Sequence, residues 1–507
     1  MGNLCTSASY EVYDPAAPAT LPGNADDLAN LAGTTTLHLP GTKEYEICRK
    51  DRTWLLDPVS FARPSAIAVP KSAEEVAAIV KFAIKTGAKL SIACGRHTHE
   101  SIVQDALMID MSHGLDAVTV DPAAKTVTVQ GGATIGKVDA ACAPHGFILP
   151  MGRLHTTGCA GQMVTTGAHA YCERMYGMGI DFLQSATVVT GTGEIVHCSA
   201  TEHPNLYWAV RGGGSSNVGV IVDMTFTVVV APNAGKFYSG SYVYLNTGLF
   251  GMPSRQTVMD HVLECMDADR PREYSISATF VAGGINPVIE THFWFGDQPA
   301  AGKEYFKKDA KKIGTCVSNT MGEHDYWTGI QRFSVGPKGD QAGPAAYYYK
   351  GLMPTKVTAE MGKRIVEACK GPFPKGCQPL VLMDLMGGKS QDVELTSTAL
   401  PSRGLYWVVF LVTWTPETTG PAGREFAVKW VRDLWSEVAR LDSGNSMALE
   451  LTGDVAAVPV EELATLPMGQ QGHSATGSVW GVNEDRLRET KNQYDPKNVF
   501  GLTHPGH

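Results

Sequence analysis

The sequence predicts an α+β protein of two packed units, and three observations carry that reading. At 507 residues the chain exceeds what one hydrophobic core supports. Its first half alternates short β-branched runs with amphipathic helices, and past Pro232 the runs lengthen into those of a broad antiparallel sheet.

In chain order, residues 1–54 are Pro/Ala/Thr-rich with little periodicity and read as an irregular lead-in. The first clear unit opens near Ala66. There Ser72 and Glu75 form a capping box ahead of a helix whose apolar face is Val76, Ile79, Val80 and Ala83, and Gly87 stops it. LSIAC then reads as a buried strand, LMIDMS, AVTVD and KTVTVQGG as further strands, and Thr134 to Pro144 as a short helix. ATVVTGTGEIVHCSA is a hairpin around Gly-Thr-Gly, and GVIVDMTFTVVV a long strand. We place this unit at 55–232. The strands YSGSYVYL, YSISATFVA, IETHFWFG and GLYWVVFLVTW, with helices between them, form a second unit at 233–475. A tail at 476–507, too short to fold alone, is expected to dock back.

Composition narrows the function. A net charge of −9, without a Lys/Arg run, disfavours nucleic acid and anionic membranes as partners. No stretch approaches the roughly 20 apolar residues of a spanning helix, and the first 30 residues lack a signal-peptide pattern. The eleven cysteines, an odd number at irregular spacings, suit reduced thiols. The protein reads as intracellular and cytoplasmic. MGNLCTS fits a myristoylation pattern at Gly2, with Cys5 as a second acylation site; with no basic patch nearby, the competing reading is an unmodified terminus.

Three segments carry chemistry. In IACGRHTHES, residues 92–101, a buried strand enters a turn whose small residues Ala93 and Gly95 let backbone amides approach a phosphate, beside His97. The competing reading is a loop with a surface histidine; His97 and His99 as metal ligands lack a third partner. LPMGRLHTTGCAGQMVTTGAHA, residues 149–170, has no periodicity and reads as a long functional loop whose Thr156, Thr157, Gly158, Gly161, Thr166 and Gly167 suit an extended polar cofactor. In NLYWAVRGGGSSNVGVI a triple glycine permits close approaches but matches neither a phosphate loop with GK[ST] nor GxGxxG.

Together these segments resemble the FAD-linked oxidases of the vanillyl-alcohol oxidase superfamily, in its berberine-bridge-enzyme-like branch. CGRHTHE looks like the family's GGHSYEG turn, RGGGSSNVGVI is similar to RGGGGNFGVV, NLYWAV to DLFWAL, and NQYDPKNVFGLTH to KYDPxNVFRxNH. The resemblance implies a two-subdomain FAD-binding unit of the PCMH type, a substrate domain with a helix-covered antiparallel sheet, and FAD bonded at its 8α-methyl group to His97. It further implies FAD contacts from Ala93, Cys94, Gly95, Arg96, Thr98, Thr156, Thr157, Gly158, Gly161, Gln162, Thr166, Gly167, Gly219, Val220 and Asn498.

Departures matter. The position of a second, cysteinyl attachment in GxCPTVGVGG holds Leu154, and Cys159 falls five residues later, so a single bond through His97 is expected. The family's paired tyrosines before the last helix stand here as Val479 and Trp480. Glu450, His155 and His169 are the candidates for the catalytic base, each weighed against a purely structural role. The expected reaction is oxidation of a small alcohol, sugar or secondary metabolite by hydride transfer to flavin N5, with O2 as acceptor and H2O2 as product. The alternatives are a dehydrogenase with another acceptor or a silent FAD-binding protein. Oligomeric state is not legible.

Overall fold

Three large sheets and one two-stranded pair hold the strands of the described residues. The computed structural model describes residues 23, 25–50, 62–97, 101–214, 218–283, 286–309, 313–329, 346–354, 356–400, 402–441, 447–449 and 481–501. The first sheet orders its strands Thr36–His38, Ala66–Val69, Leu107–Asp110, Leu90–Ala93, the first pair antiparallel and the others parallel. Its parallel pairs need a crossover, and helix Ala73–Thr86 supplies one. Ser72 accepts a hydrogen bond from the Glu75 amide at its start, and Gly87 closes it at φ 71°. Val76, Ile79, Val80 and Ala83 are buried as their spacing predicts.

The second sheet is antiparallel, in the order Val118–Asp121, Thr126–Gln130, Val220–Thr227, Leu183–Val189, Ile195–Ser199, and it contains the predicted hairpin. The third sheet has nine strands, among them Lys236–Leu245, Pro287–Trp294, Tyr274–Val281, Cys377–Leu385, Tyr406–Trp414 and Ala346–Met353. Helices Arg255–Cys265, Ala359–Ala368 and Pro421–Leu441 pack on one of its faces. The strands alternate accordingly: Tyr406, Val408, Phe410, Val412 and Trp414 join the core under the helices, so Trp407, Val409 and Leu411 take the opposite face.

Two expectations need correction. The lead-in is not wholly irregular, because helices Ala25–Ala32 and Lys43–Lys50 form there and Thr36–His38 adds a strand to the first sheet. Segments that short carry little periodicity to read. The 149–170 stretch is also not all loop: Cys159–Thr166 is a helix bracketed by Gly158 and by Gly167 at φ 70°. Its Gly/Thr content hides a helix stabilised by packing rather than by propensity.

The C-terminal helix Glu484–Tyr494 docks as expected. Gly191 donates to the Tyr494 carbonyl, and Phe500 lies in the core beneath the first sheet with Val189 and Val220. Among the described residues no helix is long and apolar enough to cross a membrane, and none of the ten described cysteines is in a disulfide.

Beneath the third sheet runs a buried polar chain. Glu290 accepts from His261 Nδ1 at 3.0 Å and lies 3.3 Å from His292 Nε2, while Tyr274 Oη meets His292 Nδ1 at 3.1 Å. Burial alone would lower the His261 pKa, but the Cys265 and Glu290 side chains outweigh it and raise it to about 10. A raised histidine stabilises fully below its unfolded pKa of about 6.5 and loses that contribution as pH rises through about 10. The melting midpoint is therefore expected to fall between pH 7 and 10 in wild type and to stay flatter in His261→Asn; equal slopes in a pH series of melts would refute this role.

Candidate active site

Backbone contact builds the site. The buried strand Leu90–Ala93 runs into Cys94-Gly95-Arg96-His97, where Arg96 adopts φ 52°. That conformation is unfavourable for a side-chain-bearing residue, and a buried ion pair from Arg96 Nη2 to Asp110 Oδ2 at 2.8 Å holds it. The Arg96 guanidinium thus points inward, into the buried pair with Asp110. A Cβ on Gly95 would stand 2.2 Å from the Gly158 amide nitrogen, and one on Gly158 2.3 Å from Cys94 Sγ. Glycine at both positions lets the turn and residues 156–158 touch directly.

That contact brings His97 Nε2 to 3.0 Å from Thr156 Oγ1. The imidazole is half-buried, and burial lowers its pKa to about 4, with a Thr156 backbone hydrogen bond opposing. It is consequently neutral at physiological pH. Tyr347, from strand Ala346–Met353 of the second domain, donates its hydroxyl to the His97 carbonyl at 3.2 Å. The histidine lies where the turn after the first sheet meets a strand of the third.

The other expected cofactor residues divide. Thr156, Thr157 and Gly158 line the same contact, and Ala93 and Cys94 lead into it. Gly161 is exposed on helix Cys159–Thr166 with open space around it. Gln162 folds back to accept from the Gly152 amide at 3.0 Å, Thr166 donates within its own helix, and Gly167 packs against Leu400. Gly219 lies against the Val189 carbonyl, and Val220 is buried at the start of its strand. In the triple glycine, Gly212 abuts Leu400 and Gly214 donates to the Val164 carbonyl at 2.7 Å, so its close approaches are at least partly to protein. Asn498 adopts φ 51°, and its Oδ1 is buried without a hydrogen-bond partner among the described residues. Thr98 and Glu450 lie outside the described residues.

The two candidate histidines face different ways. His155 Nε2 is 3.8 Å from Asp139 Oδ2 on helix Ile135–Cys142, and burial pushes Asp139 up to about 8. His169 is buried at the domain boundary; its Nδ1 lies 2.9 Å from Glu173 Oε2, and its ring stacks on Trp407 at 5.3 Å. Glu173 also accepts from the Gly387 amide at 3.2 Å. Beside it Arg153 pairs with Asp384 and covers the Tyr171 ring at 4.4 Å and the Trp407 ring at 5.4 Å. His169 Nε2, Trp407 Nε1 and Asp384 Oδ1 are all buried without hydrogen-bond partners among the described residues. Such atoms are costly unless water or a ligand satisfies them.

Arg153, Glu173, Asp384, Trp407 and Tyr347 escaped the sequence reading. The signal for Asp384 was present: a lone carboxylate inside the apolar strand Cys377–Leu385.

Comparison with known proteins identifies the parts. Residues 64–199 match the FAD binding domain family and residues 460–505 the berberine and berberine-like family. An FAD-linked oxidoreductase, dpmaF of Metarhizium anisopliae, is 26% identical over 462 residues, 86% of this chain and 83% of its own. A chitooligosaccharide oxidase of Gibberella zeae is 26% identical over 469 residues, 86% of each chain. The solved glucooligosaccharide oxidase of Acremonium strictum, described with a 6-S-cysteinyl, 8α-N1-histidyl FAD, superposes with TM-score 0.78 at 22% identity, covering 93% of this chain and 97% of its own. Physcomitrella patens BBE-like 1 gives TM-score 0.77 at 18% identity, covering 95% and 99%.

The two matched segments give the chain an FAD binding domain and a berberine-like C-terminal segment, and the solved structures share its fold. The protein is an FAD-dependent oxidoreductase. One of the expected cofactor residues has a polar atom left to meet it: Asn498 Oδ1, buried and without a hydrogen-bond partner among the described residues, is an acceptor suited to such a group.

Proposed function

We propose that the protein oxidises a hydroxyl-bearing small molecule (an alcohol, sugar or secondary metabolite), with FAD bonded through His97 alone and O2 as the electron acceptor. The observation that carries this reading is the neutral His97 imidazole, fixed against Thr156 at the domain boundary. A single attachment is favoured because Leu154 stands at the second attachment position and Cys159 is fully buried in the core, its thiol pushed well above the usual range. A hydroxyl substrate is in keeping with relatives named as oligosaccharide oxidases. FAD supplies the two-electron chemistry when bound.

The chain contributes the proton acceptor, for which we take His169. Glu173 accepts the Nδ1 proton of its imidazole, which leaves the Nε2 lone pair for a substrate hydroxyl. Asp384, by contrast, is already engaged by Arg153. In this reading the backbone of residues 93–98 and 156–158, with Gly161, Gln162, Thr166, Gly167, Gly219, Val220 and Asn498, forms the cofactor's surroundings, and His155 and Glu450 are secondary candidates for the base. The protein works inside the cell, in keeping with described cysteines that form no disulfide.

The test is an absorbance spectrum followed by acid precipitation, for wild type and His97→Ala. A yellow wild-type pellet and a colourless variant pellet are expected; a colourless wild-type pellet would sink the covalent assignment. Peroxide release under air during turnover is expected, and anaerobic flavin bleaching without it would mark a dehydrogenase.

A further inference from the structure

We propose that Cys48, Asp110 and His113 form a binding site for a divalent metal ion of the zinc class, where helix Lys43–Lys50 packs on the first sheet. The site is separate from the candidate active site and holds whether or not His97 carries the flavin.

Three elements supply the ligands. Cys48 lies on helix Lys43–Lys50, which packs through Tyr45 and Cys48 on Ile67, Val69 and Met108 of the first sheet. Asp110 ends strand Leu107–Asp110, and His113 ends the single turn Met111–His113 that follows. One ligand atom from each (the thiol sulfur, a ring nitrogen and a carboxylate oxygen) lies within 4.8 Å of the other two. Cys48 and Asp110 are buried and His113 is exposed, so an ion enters from the histidine side.

The donor set selects the ion. Thiolate and imidazole favour Zn2+ and its neighbours, whereas Mg2+ and Ca2+ take oxygen ligands. A tetrahedral zinc-class ion, with bonds of about 2.0 to 2.3 Å, holds its ligand atoms about 3.3 to 3.8 Å apart. His113 Nδ1 stands 2.7 Å from Asp110 Oδ2, so the two part by roughly 0.6 Å to admit it, which a swing of the exposed imidazole supplies. As the sulfur–metal bond forms, the Cys48 thiol proton goes to solvent. The imidazole stays neutral by carrying its hydrogen on Nε2, and water is the fourth ligand.

The carboxylate is oriented in advance by contacts of its own. Asp110 Oδ1 accepts from the Ser112 amide at 3.0 Å and from the Ser112 hydroxyl at 2.6 Å, and Oδ2 accepts from Arg96 Nη2 at 2.8 Å. Outer contacts of this kind fix a metal-binding side chain in place. A carboxylate oxygen has two lone pairs, so Oδ2 keeps Arg96 and gives the ion the place that His113 held. Thiolate and carboxylate balance the two charges of the ion. The Arg96 cation opposes it, which sets the expected affinity below that of closed sites with four protein ligands.

The test titrates the full-length, FAD-loaded protein, freed of metal by a chelator, with Co2+, whose tetrahedral visible bands lie to the red of flavin absorption. One equivalent is expected to bind with these bands, to be displaced by Zn2+ and to be left in place by Mg2+. His113→Asn is expected to weaken binding about 100-fold or more, and Cys48→Ser to abolish the bands. Zn2+ is expected to raise the melting midpoint of wild type and not that of His113→Asn, because only the folded site gathers the three ligands. The proposal is overturned if wild type shows no such bands at about ten equivalents of Co2+. Bands undiminished in His113→Asn, or in a folded Cys48→Ser, overturn it as well. If Cys48→Ser fails to fold, His113→Asn, a change at an exposed position, decides the matter.

Discussion

His169→Asn is expected to slow anaerobic flavin reduction by about 10² to 10⁴-fold, the range for loss of a positioned general base, while leaving the flavin bound and attached. The measurement is stopped-flow bleaching by the first compound found to bleach the wild-type flavin without oxygen. The reasoning is local. Glu173 and the Gly387 amide fix the orientation of the imidazole from one side, and the indole of Trp407 fixes its plane from another. Nε2, buried and without a partner among the described residues, is then the basic atom offered to a hydroxyl. Glu173→Gln should retain most of the packing and lose part of the rate, since an amide no longer stabilises the imidazolium formed on proton transfer. Asp384→Asn is the discriminating control. If it abolishes reduction while His169→Asn is mild, the carboxylate is the base and Arg153 must leave it during turnover.

Much of this site was legible before any coordinates. The strand–turn–histidine at 92–97, the glycines at 95 and 158 and the returning C-terminal segment each leave a local mark. Gly95 and Gly158 admit no side chain, and Asp495 caps the Val499 and Phe500 amides within five residues of itself. What escaped was created by distance in sequence. Arg153 meets Asp384 across 231 positions, and Tyr347 reaches His97 across 250. Neither partner lies in a motif that announces the other, because the contact depends on how a sheet face of one domain lands on a loop of the other. The same cause explains His169 and His155. They looked equivalent in a glycine-rich stretch, yet one stacks on Trp407 of the third sheet and the other faces Asp139 on helix Ile135–Cys142. The helix Cys159–Thr166 was missed for a different reason: glycine and threonine argue against a helix locally, and tertiary packing overrides them.

Arg174→Met is expected to destabilise the protein by about 4 kcal/mol, near the upper end for one substitution, and to lower the melting midpoint by roughly 4 °C. Arg174 is 1% exposed, and among the described residues no carboxylate is bonded to its guanidinium. Nε donates to the Tyr274 carbonyl at 2.8 Å, Nη1 to Met386 at 2.7 Å and Nη2 to Arg270 at 2.8 Å, with Ala268 at 3.5 Å. All four acceptors belong to the second domain, whereas the arginine stands on the short helix Glu173–Tyr176 of the first. Burial lowers the arginine pKa from its ordinary value, so the carbonyls must replace the water that burial removes. Methionine fills much of the volume but leaves those oxygens without their donor, which is the expensive half of a lost hydrogen bond. Lysine keeps the charge but cannot reach carbonyls on several sides at once, so Arg174→Lys should recover only part of the loss. The link to function is one residue long: Glu173, which orients His169, precedes Arg174 on the same helical turn. Loosening the arginine should therefore reduce flavin reduction together with stability. A midpoint within about 2 °C of wild type at a fixed scan rate would show that the carbonyls find other partners, and that the two domains are held mainly by Arg403 with Asp181 and by apolar contact.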